Sequence, residues 1–172
     1  MSNLQIQDLL RAGGVDRWHI VRTTQRQSLA EHTFNVVMIA RAICKEAHIP
    51  DEKVIKAALE HDLDEIVYGD IPTPTKSKLK HKVNINDLID NTKHNDLSDT
   101  EKNIVKIADM LEACWFIHEF KTGRHAEAVA IEQRSYFHEY VAVLDCEDLL
   151  PFNVTNAVYE VVHKIERGEF TI

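Results

Sequence analysis

Residues Leu59 to Lys76 read LEHDLDEIVYGDIPTPTK. His61 and Asp62 are adjacent, Asp64, Glu65 and Asp70 follow, and two prolines close the stretch. Val54, Ile55, Ala58, Leu59 and Leu63 recur at helical spacing ahead of it and into it. The pattern predicts a helix that starts at Pro50 and Asp51 and carries His61, Asp62 and Glu65. Tyr68-Gly69-Asp70 ends it, and Pro72 and Pro74 forbid its continuation. A charged side chain in an apolar helix needs a partner or a metal, and the remaining chain must supply it.

Outward from this stretch the chain is helical by pattern, with no alternating strand-like run of any length. Residues 3 to 11 form a short helix ended by Ala12-Gly13-Gly14, a mixed segment spans Val15 to Arg22, and Thr23 to Ser28 is a loop. Ser28 and Glu31 make a capping box for a helix from Leu29 to about Ala47, apolar on most sides and therefore central. Lys76, Lys78, Lys80 and Lys82 form a basic patch on a segment that is helical to about Asn91. Ser98 and Glu101 cap a helix to about Lys121, Gly123 breaks it, and two more helices cover about His125 to Val143 and Val154 to Glu166. The expected fold is an all-α, compact helical bundle, and residues 1–172 suit one domain.

Composition narrows the function classes. Hydrophobic residues are 44% and charged residues 28%, and no apolar run reaches the ~20 residues of a membrane helix. A net charge of −8 opposes wrapping polymeric nucleic acid, although local cations and a metal can still hold a small anion. Cys44, Cys114 and Cys146 are odd in number and lie among apolar neighbours, so reduced core thiols and a cytoplasmic protein are expected.

On a helix His61 and Glu65 are four apart and Asp62 and Glu65 three apart, so all three can face one cleft. His32 lies on a second apolar helix and Asp109 on a third. An imidazole with carboxylates suits zinc, manganese, cobalt or iron, and one ion could draw the three helices together. The bland alternative is a pair of satisfied core histidines and an ordinary helix cap.

The segments AEHTFNV around His32, LEHDLDE around His61-Asp62 and IADMLEA around Asp109 follow the order H…HD…D. The chain thereby resembles the HD-domain phosphohydrolases over about residues 10 to 145. The finer set DRWH, AEH, HDxxE and GDIPTPTK is similar to the bacterial 5'-deoxynucleotidases. With the short length and RWHIVRT, it is closer still to the compact phage dATP triphosphohydrolases found with 2-aminoadenine DNA synthesis.

The resemblance implies that His32, His61, Asp62 and Asp109 hold a divalent ion, which acidifies water for attack on the phosphorus next to the sugar. Glu65 would orient or deprotonate that water or help a second divalent ion; Asp70 would hold that second ion or the sugar hydroxyl, or be a turn residue before Ile71-Pro72. Arg17 and Lys76, with Lys80 and Arg22 behind them, would meet phosphates, although any one lysine of the patch could simply be solvated. Trp18 would stack on a purine. Ile20, on the same side of an extended backbone, would press where guanine and 2-aminoadenine carry an amino group; both could instead be hydrophobic staples. The implied reaction converts dATP to deoxyadenosine and triphosphate and spares the 2-aminoadenine nucleotide. A 5'-deoxynucleotidase acting on monophosphates and a non-enzymatic helical interaction module are the rivals. A homo-oligomer, acting in the host cytoplasm if phage-encoded, completes the expectation.

Overall fold

The computed structural model describes residues 5–79 and 96–169. Among the described residues eight α-helices follow in order: α1 Ile6–Leu9, α2 Leu29–Ala47, α3 Glu52–Glu60, α4 Glu65–Tyr68, α5 Thr73–Leu79, α6 Asp99–Phe120, α7 Gly123–Cys146 and α8 Phe152–Arg167. The expected helical bundle is the observed one. Lys80 and Lys82, and the expected helix beyond residue 79, lie outside the described residues.

Helix α2 is the hub, packing on α3, α6 and α8. Val36, Ala40, Ile43, Cys44 and Ala47 make its buried stripe at helical spacing. Ile104, Ile107, Ala108 and Leu111 of α6, and Val154, Ala157, Val158 and Val161 of α8, close the core around it. Alanines at several of these positions let the backbones approach closely. The helix is central but not buried all round, because Phe34 is 64% exposed. Both capping boxes form. Ser28 N–H donates to Glu31 Oε2 at 2.7 Å while Ser28 Oγ accepts from Glu31 N–H, and Ser98 and Glu101 repeat the pattern.

Three sequence expectations need correction. The helix expected through His61, Asp62 and Glu65 is two helices, α3 and α4, broken by a turn over residues 61–64. The break turns His61 and Asp62 inward while leaving Leu59 50% exposed. Gly69 then ends α4 at φ +81°, a conformation that a side chain would strain, and Pro74 sits in the first turn of α5, where a missing N–H costs nothing. Secondly, Asp16–Arg17 and Gln27–Ser28 form a two-stranded antiparallel ladder, too short to show a period in the sequence. Lastly, Cys146 is exposed because it ends α7, whereas Cys44 is buried.

The ladder anchors the segment before α2 at one end. Thr24 N–H donates to Phe120 O at 2.8 Å and Thr122 N–H to Arg22 O at 3.1 Å, which ties the same segment to the end of α6. Trp18 and Val21 pack on the small cluster Ile117, Ala126 and Ala130.

Candidate metal centre

His32 sits in the first turn of α2, His61 and Asp62 in the α3–α4 turn, and Asp109 midway along α6. One ligand atom from each lies within 4.8 Å of the others. Four donors from three separate parts of the chain thus converge.

The hydrogen bonds fix how the imidazoles point. His61 Nδ1 lies 2.7 Å from Ala58 O, which can only accept, so Nδ1 carries the proton. His32 Nδ1 donates to Glu112 Oε2 at 2.6 Å. Both Nε2 atoms are then bare lone pairs, and they face each other at 3.3 Å. Asp62 Oδ2 is 3.3 Å from His61 Nε2 and Asp109 Oδ1 is 3.4 Å from His32 Nε2. Two nitrogen lone pairs and two carboxylates turned on one point require a positive charge there. Imidazole and carboxylate together suit a borderline divalent ion, and the donor set fits one. Without an ion a proton takes the place. Burial disfavours a charged His32, but hydrogen bonds to Asp109 and Glu112 outweigh it and raise its pKa to about 9. Burial likewise works against an ionised Asp109, yet His32 and Lys106 hold its pKa well below the usual range.

Cations flank the donors. Arg17 Nη1 lies 3.3 Å from Asp62 Oδ2 and 3.6 Å from Glu65 Oε2. Lys76 Nζ donates to Glu65 Oε1 at 2.6 Å. Glu65 is 1% exposed; burial, then the charge of Asp62, push its pKa up against the pull of Lys76 and Arg17. Its Oε2 and Arg17 Nε are buried polar atoms with no hydrogen-bond partner among the described residues. Asp70 Oδ2 is 3.9 Å from His19 Nδ1, and its charge helps raise the pKa of Arg17 and Lys76.

Not every expected residue gathers here. Trp18 adopts φ +60° and Val21 N–H closes a turn onto Trp18 O, so the backbone is not extended and alternation does not put Trp18 and Ile20 on one side. Trp18 stacks on Phe116 with ring centroids 6.1 Å apart, and Ile20 is 55% exposed. Arg22 is exposed, and its carbonyl accepts from Thr122 N–H in the link between α6 and α7.

Sequence reasoning missed Glu112, Gln27 and Lys106. Glu112 is fully buried and accepts from His32, from Gln27 Nε2 at 2.6 Å and from Asn35 Nδ2 at 3.0 Å. Lys106 Nζ donates to Asp109 Oδ2 at 2.8 Å. Both stand three residues from Asp109 on α6, a spacing that shares a helix face, and that was the available signal. Two clefts of about 390 and 540 Å³ lie elsewhere; neither is lined by His61, Asp62 or Asp109. Pocket size does not locate this chemistry; the convergence of donors does.

Helical bundle, H…HD…D donors and flanking cations define a metal-dependent phosphohydrolase of the HD type. The family profile described as YfbR-like, 5'-deoxynucleotidase YfbR-like, matches residues 6–91. A dATP triphosphohydrolase of Salmonella phage PMBT28 is 35% identical over 156 residues, covering 82% of this chain and 80% of that one. Another, of Acinetobacter phage SH-Ab 15497, is 30% identical over 176 residues, covering 88% and 85%. The HD phosphohydrolase of Cyanophage S-2L, solved with dA and one catalytic Zn²⁺ ion, superposes with a TM-score of 0.80 over 97% of this chain and 99% of its own at 24% identity. The chain belongs to the YfbR-like family of the HD-domain phosphohydrolase superfamily.

Proposed function

We propose that the protein hydrolyses dATP to deoxyadenosine and triphosphate, with His32, His61, Asp62 and Asp109 as the ligands of one divalent ion. The observation that carries the reading is the pair of Nε2 atoms facing each other at 3.3 Å between two carboxylates, with Arg17 and Lys76 alongside. The dATP specificity is drawn from the two phage relatives of that name.

The ion, when bound, supplies Lewis-acid activation of water and of the phosphate. Glu65 Oε2, without a hydrogen-bond partner in the described structure, takes a proton from water. Its raised pKa suits that role. The water oxygen bonds to the phosphorus nearest the sugar, the bond from that phosphorus to the 5' oxygen breaks, and the 5' oxygen takes up the proton that Glu65 received. Triphosphate leaves with the water oxygen. Arg17 and Lys76, held on carboxylates in this structure, transfer to phosphate oxygens, where they stabilise developing charge. In the alternative role, Glu65 released from these two cations would help Asp70 hold a second divalent ion. Trp18 offers its face opposite Phe116 to the base, and exposed Ile20 meets the edge where 2-aminoadenine is larger than adenine.

The one-domain organisation belongs to the same proposal: the main core draws on α2, α3, α6, α7 and α8 alike. So does a homo-oligomer, supported by exposed Phe34 beside a cleft lined by Trp115, Phe116 and Phe120. Action in the cytoplasm agrees with three free cysteines. Among the described residues no helix is long and apolar enough to cross a membrane.

The second reading is a deoxynucleoside 5'-monophosphatase, favoured by the description of the matching family. Turnover of dATP against dAMP separates the two. Deoxyadenosine with intact triphosphate from dATP supports the proposal. Phosphate from dAMP with dATP untouched overturns it. Ile20→Ala tests the base edge: the dATP to dGTP ratio should fall, and an unchanged ratio removes Ile20 from the account.

A further inference from the structure

Three consecutive side-chain hydrogen bonds join Trp18 to the metal-ligand cluster. Trp18 Nε1–H donates to Gln27 Oε1 at 2.9 Å. Gln27 Nε2–H donates to Glu112 Oε1 at 2.6 Å. His32 Nδ1–H donates to Glu112 Oε2 at 2.6 Å. Gln27 is 2% exposed and Glu112 and His32 are 0% exposed. The direction of every bond follows from chemistry. An indole N–H can only donate, so it fixes which end of the Gln27 amide faces Trp18. The other end must then donate to Glu112, and a carboxylate that accepts there is free to accept from His32. His61 has no such tail, since its Nδ1 ends on the Ala58 carbonyl.

We propose that Gln27 is a positioning residue that couples base binding at Trp18 to metal binding at His32. The coupling rests on the proposed base-stacking role of Trp18. A base stacked on Trp18 holds the indole in the plane from which Nε1–H reaches Gln27, and Gln27 holds Glu112 in the rotamer that aims His32 Nε2 at the ion. The ladder pairing of Arg17 with Gln27 supplies the rigidity, because Trp18 follows directly on one strand and Gln27 lies in the other. Thermodynamic linkage makes the effect reciprocal: the ion must tighten nucleoside binding by the factor with which the nucleoside tightens the ion.

The test measures Zn²⁺ affinity by chelator competition, with and without saturating 2',5'-dideoxyadenosine. That ligand keeps the base but lacks the 5' hydroxyl that could touch the ion itself. In the native protein it should tighten Zn²⁺ about fivefold or more. Gln27→Met preserves length and removes both hydrogen bonds; the tightening should vanish. Asn35→Leu removes the other amide on Glu112 Oε1 without touching Trp18; Zn²⁺ should weaken while the tightening persists. Trp18→Phe keeps a smaller aromatic face and deletes the N–H that Gln27 accepts, so it repeats the test without substituting the buried amide.

Retention of the native tightening in Gln27→Met and in Trp18→Phe would overturn the relay, as would its absence from the native protein. Trp18→Leu separates the underlying assumption. Unchanged nucleoside affinity in that variant would overturn base stacking, and the coupling with it. Weakened nucleoside affinity beside unaltered coupling in Gln27→Met would overturn the relay alone.

Discussion

Replacing Glu112 by Gln changes no volume and removes one charge, yet the structure predicts a large loss of metal affinity. Glu112 faces three donors: His32 Nδ1–H, Gln27 Nε2–H and Asn35 Nδ2–H. A glutamine must turn its own NH₂ to one side. Turned to His32, it makes Nδ1 an acceptor and moves the ring proton to Nε2, where no ion can then bind. Turned to Gln27 and Asn35, it opposes two amides; Gln27 cannot flip without setting its NH₂ against the Trp18 indole N–H. The first arrangement blocks the ligating nitrogen and the second leaves buried donors opposed. Loss of such a partner behind a ligating histidine costs about 10- to 100-fold in metal affinity, or roughly 1.4 to 2.8 kcal/mol. Competition with a chromogenic chelator reads this directly for Zn²⁺. An affinity within about twofold of the native value would show that Glu112 does not set the His32 tautomer.

Other consequences follow from the same geometry. In the metal-free protein His32 holds a proton up to about pH 9, so an arriving ion must displace it. Zn²⁺ affinity should rise about tenfold per pH unit from about pH 6 to about pH 8, with about one proton released, as calorimetry in buffers of different ionisation enthalpy will show. The same raised value, about 9 against 6.5, stabilises the metal-free fold fully below about pH 6.5 and is lost as pH climbs through about 9. The drop is on the order of 3 kcal/mol, and a flat melting temperature across that window would contradict it. Lys76→Met breaks the ion pair with Glu65 and should raise KM for dATP about tenfold by steady-state kinetics, the scale of a charge-assisted hydrogen bond. Ser28→Ala removes the α2 cap and should cost about 1 kcal/mol in denaturant unfolding, with the metal site retained.

How much of this was legible in the sequence differs by element. Helices α2, α6 and α8 announced themselves through periodicity, and Ser28-to-Glu31 and Ser98-to-Glu101 marked two starts to the residue. The break between α3 and α4 was not legible. HDLD lies in an unbroken helical pattern, and the turn that carries it follows from where His61 and Asp62 must face. The two-residue ladder is too short for any period, so the placement of Arg17 beside Asp62 came only with the tertiary structure. His32, His61, Asp62 and Asp109 were readable because imidazole and carboxylate are costly on apolar helices. Glu112 was equally costly and was overlooked, since it continues the same α6 face one turn beyond Asp109. Gln27 gave no signal at all. It looked like one polar residue among Thr23 to Ser28, and only its 2% exposure reveals its role.

The central claim is that the four converging donors hold the ion on which phosphate-ester hydrolysis depends. Phosphorus NMR of dATP incubated with chelator-stripped protein, before and after Zn²⁺, Co²⁺ or Mn²⁺ is restored, tests metal dependence and product in one experiment. The account predicts no turnover by the stripped protein, then triphosphate as the phosphorus product once metal returns, and neither with His61→Ala. Turnover by the stripped protein, or equal turnover by His61→Ala, would contradict the metal site; orthophosphate or pyrophosphate in place of triphosphate would contradict the reaction.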